Sequence, residues 1–139
     1  MWQYEQATGR LRDENGTVQG VGYSGRYPDG KNKPEMQDEQ NVGPIPAGEY
    51  SIGLPVDTVT HGPFVLPLVP DPKNQMFGRS AFLIHGDSVV APGTASEGCI
   101  IMARDVRQQI AKSGDNVLEV IAVLNPTGTN TTSGDGEGL

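Results

Sequence analysis

One cysteine and two histidines are all that this 139-residue chain offers for soft-ligand or imidazole chemistry. A single cysteine excludes an internal disulfide, and three such residues in total fall short of a four-ligand structural zinc site. No apolar run approaches the roughly 20 residues that span a bilayer. The first residues, Met1-Trp2-Gln3-Tyr4-Glu5-Gln6, have neither the basic start nor the apolar stretch of a secretory signal, so none is read there. Cations are scarce: 10 Lys and Arg against 17 Asp and Glu leave a net charge of −7. That balance argues against nucleic acid and anionic membrane surfaces as partners. An anionic polymer would have to be held by specific contacts rather than by bulk attraction.

What is present in quantity is glycine and proline, 19 and 11 residues, beside a modest 35% of hydrophobic residues. This composition points to many turns and short strands, and the length suits one domain with a single core. Trp2 and Tyr4 alternate with polar residues. A strand through Leu11 turns at Asp13-Glu14-Asn15-Gly16, where Asn-Gly is a strong hairpin signal, and Thr17–Tyr23 reads as the returning strand. Residues 24–42 lack periodicity and form a long loop, either a rim of a functional site or a surface excursion. Gly48–Leu54 and Phe64–Val69 read as strands, the second placed at a sheet edge because of Pro67. Ser80–His85 and Ile100–Met102 are further strands. Arg104–Lys112 is the one clear helix, with Val106 and Ile110 on one face and Ser113-Gly114 as its stop. Val117–Leu124 closes the domain (1–124), and the polar residues 125–139 are expected to be disordered.

The chemistry concentrates between Phe82 and Met102. His85 ends the apolar run Ala81-Phe82-Leu83-Ile84, and Cys99 precedes Ile100-Ile101-Met102, 99 − 85 = 14 residues later. A loop rich in Gly, Pro and Ser joins them and ends in Ser96-Glu97-Gly98-Cys99. Two strands so joined can bring an imidazole to a thiol, the minimal activated nucleophile. A free cysteine can equally be a small buried core residue, but Cys99 follows a glycine in a turn, where it is partly exposed. Neighbouring amides there, those of Gly98 and Cys99, can point at an oxyanion. His61 opens a Gly-Pro turn outside this stretch and reads as a surface residue.

His85-Gly86 followed by Ser96-Xaa-Gly98-Cys99-Ile100 resembles the signature of the L,D-transpeptidases (YkuD-like), cysteine enzymes that remodel bacterial peptidoglycan. Gly43-Pro44-Ile45-Pro46-Ala47-Gly48-Glu49-Tyr50-Ser51-Ile52 is similar to a second segment of that family, with Ile45 in place of Thr. Met76-Phe77-Gly78-Arg79-Ser80 and the Ser-Glu-Gly-Cys wording look closer to the type VI secretion L,D-transpeptidase effectors. The resemblance covers roughly residues 4–123. It implies a mainly β fold, a mixed sandwich or open barrel with one short helix after the cysteine strand. It also implies Cys99 as nucleophile, His85 as base and the Gly86 carbonyl as orienter of the imidazole, with Asp87 as a rival. Ser96 reads as shaping the turn through its hydroxyl and as a contact for substrate, and Arg79 either as a bidentate grip on a substrate carboxylate or as a solvated arginine. Glu97 and Asp87 complete the residues expected at substrate.

The implied reaction is attack on a tetrapeptide stem with loss of D-alanine, then transfer of the acyl group to water, a D-amino acid or another stem. It needs no cofactor and no metal. Implied partners are peptidoglycan stems, D-amino acids, an immunity protein and type VI secretion components, with action in the periplasm of a target bacterium. Glu97 and Ile101 depart from the commoner members, which carry His before Gly-Cys and often Arg or Asn two residues after the Cys. A housekeeping exported transpeptidase and a catalytically silent wall-binding module remain as alternative readings.

Overall fold

A computed structural model describes residues 1–124 and the backbone of 130–131. The rest of the 125–139 tail, expected to be disordered, lies outside the described residues. The alternation at Trp2 and Tyr4 forms β1 (Trp2–Glu5), with both aromatic rings buried. β2 (Arg10–Arg12) and β3 (Val18–Val21) pair antiparallel around the expected turn. Asp13 closes that turn, its carboxylate accepting from the Asn15 and Thr17 amides and its carbonyl from Gly16.

The returning strand does not run through to Tyr23. It breaks at Gly22, and β4 (Tyr23–Ser24) leaves to pair with β9 (Ile100–Ile101) at the far end of the sheet. Between β1 and β9 the sheet is filled by β10 (Val117–Ile121), β5 (Gly48–Ile52), β7 (Gly62–Pro70) and β8 (Leu83–His85), with β6 (Val56–Thr58) beside β7. The strand order is β3-β2-β1-β10-β5-β7-β8-β9-β4, with β6 on β7. β1 with β10 and β8 with β9 are parallel pairs, the others antiparallel. Over the described residues the fold is therefore mainly β, a mixed sheet with one short α-helix, as the sequence indicates. Beyond Ala122, β11 (Val123–Leu124) pairs with β12 (Asn130–Thr131).

Pro67 is not on an edge. β7 is flanked by β8 on one side and by β5 and β6 on the other. The proline is tolerated because its missing N–H falls where β7 changes partner: β6 pairs with residues up to Val65 and β5 from Leu68 onward. At that junction the Pro67 carbonyl still accepts from the Gly53 amide at 2.8 Å. β8 is also shorter than read from the sequence, because Ala81, with φ of +67°, turns the chain before it can pair.

The helix α1 (Arg104–Ser113) buries Val106 and Ile110 as its spacing requires, and Gly114 ends it in the left-handed conformation. This face packs against a core built from both halves of the sheet, including Tyr4, Leu11, Tyr50, Leu66, Ile84, Ile100 and Leu118. Ile84 is the hinge between core and chemistry, fully buried on the strand that ends in His85 and in register with Ile100 beside Cys99. Ile84→Ala should cost about 2–5 kcal/mol, the range for emptying such a core site, in a urea unfolding curve. A loss below about 1 kcal/mol would mean that the two catalytic-motif strands are not anchored through this residue.

Candidate functional site

The parallel register of β8 and β9 sets the site. Ile84 lies opposite Ile100 and His85 opposite Ile101, so Cys99 is held one residue before β9, near Leu83. Cys99 and His85 line one cleft of about 380 Å³ together with Arg79, Phe82, Glu97 and Gly98. Gln40 and Asn41 complete its wall, so the 24–42 segment does rim the site. His85 is buried, and its Nδ1 lies 2.8 Å from the Gly86 carbonyl. A carbonyl can only accept, so Nδ1 carries the proton and Nε2 is left as the basic nitrogen. Asp87, the rival orienter, is committed elsewhere. It accepts from Tyr23 Oη at 2.6 Å and from the amides of Ser88 and Gly93, which ties the loop after β8 to β4. Those bonds hold its carboxyl below the usual range, although partial burial pushes the other way.

The turn before the thiol is organised by two hydroxyls. Ser96 Oγ accepts from the amides of Gly25 and Gly98, both at 3.0 Å, and donates to the Cys99 carbonyl at 2.6 Å. Ser24 Oγ donates to the Gly98 carbonyl and accepts from the Ile45 amide. Ser96 is only 1% exposed with these bonds made, so it shapes the turn and does not face the cleft. The same geometry corrects the expectation for Gly98. At φ +149° its N–H turns inward to Ser96 and is not presented to an oxyanion. A side chain at 98 would also collide, its Cβ falling 2.6 Å from Arg79 Nη2 and 2.9 Å from the Phe82 ring.

Arg79 is placed differently from the expected carboxylate clamp. It is 5% exposed, and its two terminal nitrogens donate to four carbonyls: Gln37 at 2.6 Å, Pro44 at 2.8 Å, Gly43 at 2.9 Å and Glu97 at 3.1 Å. A bidentate grip on substrate would need those same hydrogens. The Glu97 carboxylate is exposed on the cleft wall, and only its backbone carbonyl meets Arg79.

The electrostatics make a neutral resting pair. Burial pushes the Cys99 thiol above its ordinary value; the Leu83 amide and the Arg79 charge pull it down, and Glu97 pushes it up again. Burial likewise pushes the His85 imidazole below its ordinary value; the Gly86 carbonyl opposes this and the nearby His61 and Arg107 add to it. Both groups therefore rest uncharged near neutral pH.

Two residues of this neighbourhood escaped the sequence reading. His61 is exposed, as read, but it belongs to the site: its ring centroid lies 4.8 Å from that of His85, tilted by 56°, and it lines the Cys99 cleft. The only signal was that it is the chain's second histidine. Arg107, on the helix, reaches back beneath Gly86. Among the described residues no group of three or more His, Cys, Asp or Glu converges on a metal position, and no helix is long and apolar enough to cross a membrane.

A mainly β domain that seats one thiol and one carbonyl-oriented imidazole in a shared cleft defines a class of protein with a Cys–His site. The model of the Tlde1 domain matches residues 19–125, most of the chain, and the chain belongs to that family, the type VI secretion L,D-transpeptidase effectors. Membership makes it, at family level, a peptidoglycan-modifying effector. No curated protein and no solved structure matches it.

Arg79→Lys decides between brace and clamp. A lysine ammonium has three donors and cannot reach four carbonyls, so unfolding free energy should fall by about 2–4 kcal/mol. A variant with unchanged stability and a raised KM would instead return Arg79 to substrate binding.

Proposed function

We propose that this protein is a cysteine acyl-transfer enzyme that acts on the tetrapeptide stems of peptidoglycan, as L,D-carboxypeptidase and L,D-transpeptidase. The observation that carries the reading is the 2.8 Å contact from His85 Nδ1 to the Gly86 carbonyl, which leaves Nε2 basic in the cleft that holds Cys99. His85 takes the Cys99 proton as Sγ attacks the carbonyl of the residue before the terminal D-alanine. The C–S bond forms and the C–N bond breaks. His85 returns the proton to the departing amine, and a thioester remains. Water, a D-amino acid or the amine of another stem then takes the acyl group. The Cys99 amide is the donor assigned to the oxyanion, since that of Gly98 serves the turn. Glu97, on the wall of the same cleft, offers its carboxylate to the ammonium of the diamino acid or of an incoming amino acid. Delivery to a target periplasm and an immunity partner follow from the family.

Mass spectrometry of tetrapeptide muropeptides incubated with the protein tests this reading. The wild type should release D-alanine, and Cys99→Ala should lose hydrolysis, exchange and crosslinking together, because all three pass through one thioester. D-alanine release surviving in Cys99→Ala would sink the mechanism.

The pH dependence follows from the neutral pair. The base must be unprotonated, and its affinity for protons is lowered from 6.5, so the acid limb of kcat/KM should lie below 6.5. The thiol must keep a proton to pass to the leaving amine, and its pKa is raised from 9.0, so the alkaline limb should lie above 9. Burial sets the direction of the acid limb; the Gly86 carbonyl and Asp87 push it up, and His61 and Arg107 push it down. A narrow bell centred near pH 6 would show instead a preformed thiolate–imidazolium pair.

A further inference from the structure

His85 also lines a second cleft, of about 600 Å³, which shares His61, His85 and Ala95 with the first and does not include Cys99 among its walls. Its walls come from His61, Pro63, Gly86, Asp87, Val89 and Arg107. Arg107 is 5% exposed, yet no carboxylate pairs with it among the described residues. Its Nε donates to the Met102 carbonyl at 3.1 Å, and Nη1 donates to the carbonyls of Pro63 at 2.8 Å and Phe64 at 2.7 Å. Three of the five guanidinium hydrogens are thereby spent. Nη2, with two, has no acceptor among the described residues and lies against the bare face of Gly86, where a Cβ would stand only 2.9 Å away. A buried cation that keeps a forked pair of donors beside an open cleft is suited to an oxyanion with matching geometry. Asp87 on the same wall does not take those donors, because its oxygens accept from Tyr23, Ser88 and Gly93.

We propose that this second cleft is the subsite for the amino acid that leaves or enters during acyl transfer, with Arg107 Nη2 holding its α-carboxylate. The assignment rests on the acyl-transfer reading and adds to it the group that recognises the exchanged residue. In acylation the C–N bond of the terminal residue breaks and its nitrogen takes the proton from His85. In exchange the amine of a free amino acid attacks the thioester carbon, its proton passes through His85 to Sγ, the C–N bond forms and the C–S bond breaks. The two are the same step in opposite directions, so the leaving and the entering amino acid occupy one place. Their nitrogen must lie within reach of His85, and their carboxylate lies one carbon further on, toward the cleft that His85 shares with Arg107.

The test compares two tetrapeptide stems on the full chain, one ending in D-alanine and the other in D-alaninamide, by kcat/KM for release of the terminal residue. The wild type should prefer the free acid by about ten- to hundredfold, the value of a charge-assisted hydrogen-bonded contact. In Arg107→Met the preference should collapse to within about threefold. A ratio of two substrates on one preparation does not depend on how much of the variant is folded. Gly86→Ala, which crowds Nη2, should lower the same ratio by a second route. Equal wild-type rates on acid and amide would overturn the subsite and leave the acyl-transfer reading standing. A preference that survives in both variants would place carboxylate recognition elsewhere and overturn it too. No release from either stem would bring down the acyl-transfer reading, and the subsite with it.

Discussion

The site depends on a buried guanidinium whose terminal donors are all spent on architecture. Arg79 joins three separate pieces of chain: Gln37 in the long loop, Gly43 and Pro44 before β5, and Glu97 in the turn before the thiol. Removing an arginine from water is costly, and here four carbonyl dipoles replace the lost hydration. Burial accordingly lowers its pKa from the ordinary value. The guanidinium also packs over the Phe82 ring, 5.3 Å from its centroid, which links the brace to β8. The consequence for Cys99 is twofold. Its turn cannot move without breaking bonds to a charge, and a fixed positive field lies near enough to favour the thiolate as it forms.

That field does not win at rest. Burial raises the thiol and lowers the imidazole, so the charged pair is disfavoured from both sides. A neutral thiol is a poor target for oxidants and adventitious electrophiles, because the thiolate is the reactive species. On the acyl-transfer reading proposed above, charge separation develops only as the substrate carbonyl is attacked. The Leu83 amide and the charge of Arg79 already favour the thiolate and need no reorganisation at that moment.

The stretch from Phe82 to Met102 was legible because its meaning lies in residue type and order: an imidazole ending one apolar run, a thiol beginning another, and glycines where the chain must turn. The helix was legible for the same reason, its apolar spacing and its Gly114 stop being local. Pro67 was misplaced because local rules put a proline at an edge, whereas the chain hides the missing donor at a change of partner between β6 and β5. Ser24, Tyr23 and His61 were invisible as site residues. Their roles arise from contacts across 74, 64 and 24 positions, to Gly98, Asp87 and His85, and no periodicity marks such pairs. Gly98 was read as a donor from its neighbourhood to Cys99; only the backbone angle reveals that its N–H faces inward.

Arg79 and Arg107 illustrate what a sequence withholds even where it points to the right residue types. Both are 5% exposed, both lack a carboxylate partner among the described residues, and both donate to backbone carbonyls, Arg79 at the turn before the thiol and Arg107 beneath Gly86. Counting hydrogens separates them. Arg79 places all four of its terminal N–H groups on carbonyls, so its charge is a structural fixture. Arg107 places three donors and leaves a forked pair toward a cleft. In a chain with a net charge of −7 the long-range field repels anions, but screening confines such repulsion to about 8–10 Å at physiological salt. Within that distance the unspent donors of one guanidinium outweigh the average, so an acidic protein can still recognise a carboxylate at the point where its chemistry occurs.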